Sequence, residues 1–77
     1  MTYEFWDTRT TNLIAFYDNE RDALAFVLSG IERNGPHDTD TLVLEVEDEA
    51  GNLLYSLQGA ELAAFARQKP ESGRIAV

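Results

Sequence analysis

His37, Asp38 and Asp40 place an imidazole and two carboxylates within four positions, the residue types that hold a metal ion or move a proton. The chain has one histidine, however, and this stretch lacks the helical or strand spacing that turns ligands to one side. No second ligand group accompanies it. A solvated connector is expected there rather than a metal site. Glu47-Asp48-Glu49 followed by Gly51 resembles a calcium loop only superficially, because the repeating acidic spacing and the terminal Glu are missing. A charged hairpin tip is expected instead. Cysteine is absent, neither Ser29 nor Ser56 stands in a nucleophile-elbow context, and His37 would have to be recruited from a loop. The five glycines are scattered and form no phosphate-binding loop. Arg9, in a threonine-rich turn beside Asp7, reads as half of a solvated ion pair rather than an anion site. No catalytic residue, cofactor, metal or small-molecule ligand is therefore expected. A small enzyme with a carboxylate site among the fourteen acids is the third reading, since a general acid needs desolvation that so small a core rarely provides.

Charge narrows the partners. Fourteen acidic residues against six basic give a net charge of −8, which repels phosphate backbones and anionic lipid. Nucleic acid and membrane are poor partners. Between Arg33 and Arg67 there is no Lys or Arg, while Asp38, Asp40, Glu45, Glu47, Asp48 and Glu49 fall in that interval. This acidic stretch supports an alternative function, a binder or inhibitor of a basic partner, antitoxin-like or mimicking nucleic acid. Met1 leads almost directly into a strand pattern with no signal-length apolar run, and with no cysteine the expected location is the cytoplasm.

The elements follow from periodicity. Tyr3 to Asp7 and Leu13 to Tyr17 are rich in aromatic and aliphatic residues around a polar Thr8-Arg9-Thr10-Thr11 loop, which predicts a hairpin. With Asp7 opposite Asn12, Trp6 meets Leu13 on one face, and Phe5 meets Ile14 and Tyr3 meets Phe16 on the other. Asp18 or Asn19 caps a helix whose stripe is Leu24, Val27, Leu28 and Ile31, and Asn34-Gly35-Pro36 ends it. Leu42, Leu44 and Val46 then alternate with Val43, Glu45 and Glu47. After the turn Asp48 to Gly51, Val46 is expected to pair with Leu53, Leu44 with Tyr55 and Leu42 with Leu57. A short helix from about Ala60 to Gln68 buries Leu62, Phe65 and Ala66. The pattern repeats: Asn12-Leu13-Ile14 matches Asn52-Leu53-Leu54, and Asp22-Ala23-Leu24-Ala25-Phe26 matches Glu61-Leu62-Ala63-Ala64-Phe65. Each hairpin-helix unit is too small to cover its own apolar face, so both share one core. The expected fold class is α+β, a ββαββα pseudo-repeat with a four-stranded antiparallel sheet and two helices packed on one face. The domain spans residues 1–70, and 71–77 form a flexible tail.

Both faces of the first hairpin are apolar, and only one can meet the helices. The other, with Trp6, Leu13, Ala15 and Tyr17, is expected to be an exposed interface. The pattern Tyr3-x-Phe5-Trp6-Asp7-Thr8, Asn12-Leu13-Ile14, Asp22-Ala23-Leu24 and Gly59-x-Glu61-Leu62-Ala63 resembles that of small uncharacterised bacterial proteins. The resemblance implies a bacterial, freestanding small domain and carries no catalytic residue. The preferred function is a non-catalytic protein-interaction module that self-associates through that hairpin face, so the expected partner is a second copy, a homodimer, or else another protein.

Overall fold

The computed structural model describes residues 1–68, and the expected tail at 71–77 lies outside them. Strands β1 (Thr2–Asp7) and β2 (Asn12–Tyr17) form the first hairpin, followed by helix α1 (Glu20–Asn34). A 3-10 helix (Pro36–Thr41) leads into strands β3 (Leu42–Glu47) and β4 (Leu53–Gln58) and helix α2 (Gly59–Gln68). All neighbouring strands are antiparallel, in the order β2-β1-β3-β4, so the two hairpins join through β1 and β3. The ββαββα architecture is that expected from the repeat.

The core lies between one face of this sheet and the two helices. Tyr3 and Phe5 from β1 and Leu44 and Val46 from β3 meet Ala23, Leu24 and Val27 of α1 and Leu62 and Ala66 of α2. Phe5, Leu44 and Leu62 are fully buried, and each such side chain contributes about 1.5–3 kcal/mol. Asn19 caps α1, its side chain accepting the Asp22 N–H at 2.8 Å. At the other end of α1, the segment read as a solvated connector is a 3-10 helix packed on both α-helices, with Thr39 fully buried. Its approach explains Gly30. A Cβ there would collide with the Asp38 carboxylate, which itself accepts a 3.0 Å hydrogen bond from the Asn34 amide.

The register departs from the simple alternation in both hairpins. Trp6 opposes Leu13 as expected, but Phe5 opposes Ala15, Glu4 opposes Phe16 and Tyr3 opposes Tyr17, so Ile14 is an extra residue in β2. In the second hairpin Glu47 opposes Leu53, Val46 opposes Tyr55 and Leu44 opposes Leu57, which makes Leu54 the extra residue of β4. A bulge shifts the pairing by one, and with a side-chain period of two every residue beyond it changes face. Ala15 and Tyr17 therefore pack against the core. Tyr17 lies edge-on to Phe5 with centroids 6.1 Å apart, and its ring is 5.7 Å from that of Phe26. The assignment of Ala15 and Tyr17 to an outer interface is corrected accordingly, and Ile14 and Phe16 are exposed instead.

The same turn device closes both hairpins. Asp7 Oδ1 accepts the Arg9 N–H at 2.8 Å, and Asp48 Oδ1 accepts the N–H groups of Ala50 and Asn52, each at 2.9 Å. The residue before each Asn then takes a positive φ, 56° at Thr11 and 87° at Gly51. A β-branched residue is strained in that region by roughly 1–2 kcal/mol, whereas glycine is not. Thr11→Gly should therefore stabilise the fold by up to about 1 kcal/mol, and Gly51→Thr should destabilise it by a similar amount, as measured by urea melts. The aspartates give the acid limb. Backbone N–H donation, from Asn52 to Asp48 and from Arg9 to Asp7, holds both carboxyls below the usual carboxylate range. A depressed folded value means that the contribution is present above the unfolded value and is lost as pH falls through the folded one. The melting temperature should therefore hold down to about pH 4 and then fall, with Asp48→Asn flattening part of that slope.

Candidate functional site

Two helices on one side leave the other side of the sheet uncovered by any described element. Cross-strand pairing arranges its side chains in three rows. Leu13, Trp6, Val43 and Gln58 form the first, Phe16, Glu4, Glu45 and Ser56 the second, and Thr2, Glu47 and Leu53 the third. Phe16 is 66 % exposed and Leu53 56 %, and Leu13 and the bulged Ile14 and Leu54 are also exposed. This concentration of exposed large apolar side chains makes the face the candidate site of the molecule. The Trp6 indole lies half-buried over β3, its N–H buried and without a hydrogen-bond partner. Beside it runs a shallow groove of about 320 Å3 lined by Trp6, Asp7, Thr8, Thr11, Val43 and Glu45.

Glu4, Glu45 and Glu47 occupy the middle of this face. Each is half-buried, and one carboxylate oxygen from each lies within 4.8 Å of the other two. Glu4 stands directly opposite Glu45, a like-charge cross-strand pair. Two unit charges about 5 Å apart repel by roughly 0.8 kcal/mol even in water. The trio is the one carboxylate cluster among the described residues able to approach a cation together, and a calcium ion would still need about three more oxygen ligands from elsewhere.

The other acidic residues singled out from the sequence do not share this surface. Asp38 and Asp40 lie in the 3-10 helix on the helix side of the sheet, where Asp40 meets His37 at 3.1 Å. Asp48 closes its turn, and Glu49 reaches the Met1 amino group at 2.9 Å. Only Glu45 and Glu47 of the six belong to the sheet face, and Glu4 joins them. Of the expected interface, Trp6 and Leu13 remain on it. Arg9 lies 3.5 Å from Asp7 in the turn, as read from the sequence. Ser56 stands on the open face without a histidine near it in the pairing, and Ser29 lines an open hollow of about 530 Å3 along α1 with Arg21, Leu28 and Glu32.

Glu4, Ile14, Phe16 and Leu53 were missed. The signal for the bulges was present, because Leu13-Ile14 and Leu53-Leu54 each put two apolar residues in succession just after a turn, at the same place in both repeats. For Glu4 the missing information was strand order.

Removing one charge from the trio should relieve its repulsion. Glu45→Gln should raise stability by about 0.5–1 kcal/mol, read as a melting-temperature gain of several degrees at low salt that shrinks at high salt. Glu32→Gln on α1 should leave it unchanged. No family model, curated protein or solved structure matches this chain.

Proposed function

We propose that this protein is a non-catalytic protein-interaction module that docks its partner on the open face of the sheet. One observation carries the reading. Among the described residues the four-stranded sheet is covered on one side only, and its other side presents Leu13, Ile14, Phe16, Leu53 and Leu54 around half-buried Trp6 and Val43. Exposed apolar area of this kind has no use in folding and gains free energy when a partner covers it. Four strands at 4.8 Å spacing and six residues at 3.3 Å rise make a face of roughly 400 Å2. Catalysis is not favoured, because the three clustered carboxylates stand on an open sheet rather than in a water-excluding cleft. Self-association is the second reading, favoured by Leu13, Ile14 and Phe16 lying together at the β2 edge.

A photo-crosslinking residue placed at position 16, compared with one at position 25 on exposed α1, tests the proposal in cells producing the protein. Discrete adducts from position 16 but not from position 25 are expected, whether to another protein or to a second copy. No adduct, or the same adducts from both positions, would overturn the reading. Phe16→Gln should weaken the contact strongly while changing stability by no more than about 0.5 kcal/mol, because the ring is two-thirds exposed and no charge is added opposite Glu4.

A further inference from the structure

We infer that the occupant of the open face is a cationic protein segment, one that sets an Arg or Lys side chain between flanking apolar residues, and not a second copy of this chain. The inference rests on the proposed docking role of the face and specifies the chemistry of what docks. The three rows combine two features that only such a partner satisfies together. Phe16, Leu13 and Trp6 at one side and Leu53 and Leu54 at the other require apolar contact. Glu4, Glu45 and Glu47, between them, require positive charge.

The positive charge is not supplied by the face itself. Among the described residues none of the four arginines, Arg9, Arg21, Arg33 and Arg67, belongs to a strand, so no described cation of the sheet stands among the carboxylates. Covering the trio with an uncharged apolar surface would strip water from three clustered charges without repayment. A guanidinium laid between Glu4 and Glu45 instead makes charge-assisted hydrogen bonds to both and removes their mutual repulsion. A second copy does the reverse. Stacking two such faces about a two-fold axis brings six carboxylates together, on two chains each carrying a net charge of −8. Charge complementarity at the trio also steers encounter and suppresses wrong partners.

Spacing identifies a workable form of partner. Neighbouring side chains on one face of a helix, at i and i+3 or i+4, are about 5–6 Å apart, close to the strand-to-strand step of about 4.8 Å. A helix crossing the strands can set an Arg over Glu4 and Glu45 with a leucine near Phe16.

Trp6 is the only tryptophan and lies on this face, so its fluorescence reports occupancy directly. The probe is a synthetic amphipathic helical peptide with leucines and arginines alternating along one face at i, i+4 steps. One control peptide has every Arg replaced by Glu and another has every Leu replaced by Ala. The Leu/Arg peptide should shift Trp6 emission saturably in the micromolar range, and neither control should match it. Glu4→Gln and Glu45→Gln should each weaken binding about ten-fold. Phe16→Ala should weaken it several-fold, and Glu32→Gln should leave it unchanged. Because the two Glu→Gln changes relieve repulsion, loss of folding does not confound the result. Unchanged affinity in Glu4→Gln and Glu45→Gln, or equal binding by the Leu→Ala peptide, would overturn the inference. So would a salt-resistant dimer, seen by sedimentation velocity, that Phe16→Glu breaks and Glu45→Gln tightens. That last result would leave the docking role of the face standing, whereas the absence of any specific crosslink from position 16 would remove it.

Discussion

The pairing of β1 with β3 is the interaction on which the remaining structure depends. Each hairpin with its helix buries too little to stand alone, and this seam is where two such units become one sheet with one core. On the inner side it sets Tyr3 against Val46 and Phe5 against Leu44, all buried. The two units are related by an approximate two-fold axis. Bulges follow Leu13 and Leu53, and Asp7 and Asp48 close equivalent turns, so Glu4 corresponds to Glu45. These two residues are themselves cross-strand partners, which places the axis between them. A repeat that pairs with itself about a two-fold must set the residue on the axis against its own counterpart. With Glu at that position in both copies, a carboxylate pair at the centre of the outer face follows from the topology.

Local signals in the sequence were sufficient for the four strands and both α-helices, though not for the 3-10 helix, and for the division into inside and outside along β3. The alternation of Leu42, Leu44 and Val46 with Val43, Glu45 and Glu47 survives intact, as does the Asn19 cap and the end of α1 at Asn34. What failed was the reading of β2, where a single inserted residue exchanges the faces of Ala15 and Tyr17 with those of Ile14 and Phe16, and the register of β4, where Tyr55 and Leu57 face the helices as expected but Leu53 turns outward. A strict period of two cannot register an insertion, although the doubled apolar residues Leu13-Ile14 and Leu53-Leu54 mark its position in both units. Strand order is a different kind of loss. It depends on contacts between residues far apart in the chain, and without it nothing links Glu4 to Glu45. The acidic face inferred from the charge run was divided for the same reason, because Asp38 and Asp40 run through a 3-10 helix on the helix side before the chain turns into β3.

Bulges at both edge strands have a second effect. Edge strands invite pairing with other chains through their free backbone groups, and bulges twist the edge and interrupt the ladder that such pairing would extend. Of the two routes to association, edge-to-edge extension is thereby hindered while the face stays open. That favours contact through side chains, where specificity resides in residue type rather than in backbone hydrogen bonds.

The carboxylates on that face can be weighed against the simplest alternative, that they keep an apolar surface in solution. Charge on an exposed sheet does oppose aggregation, but that purpose is met by dispersed charges of both signs, which cost the fold little. Here three carboxylates lie within 4.8 Å of one another on neighbouring strands, each half-buried, and two of them, Glu4 and Glu45, are directly opposed. Solubility is already provided by a net charge of −8 spread over the chain. A domain of this size has little stability to spare, and like charges gathered on the face left uncovered among the described residues have a physical rationale under the proposed docking of a cationic partner. Under the proposed docking role, repulsion between Glu4 and Glu45 in the free protein would be relieved when a cation binds, so that a cost to folding and a gain in affinity would be the same interaction.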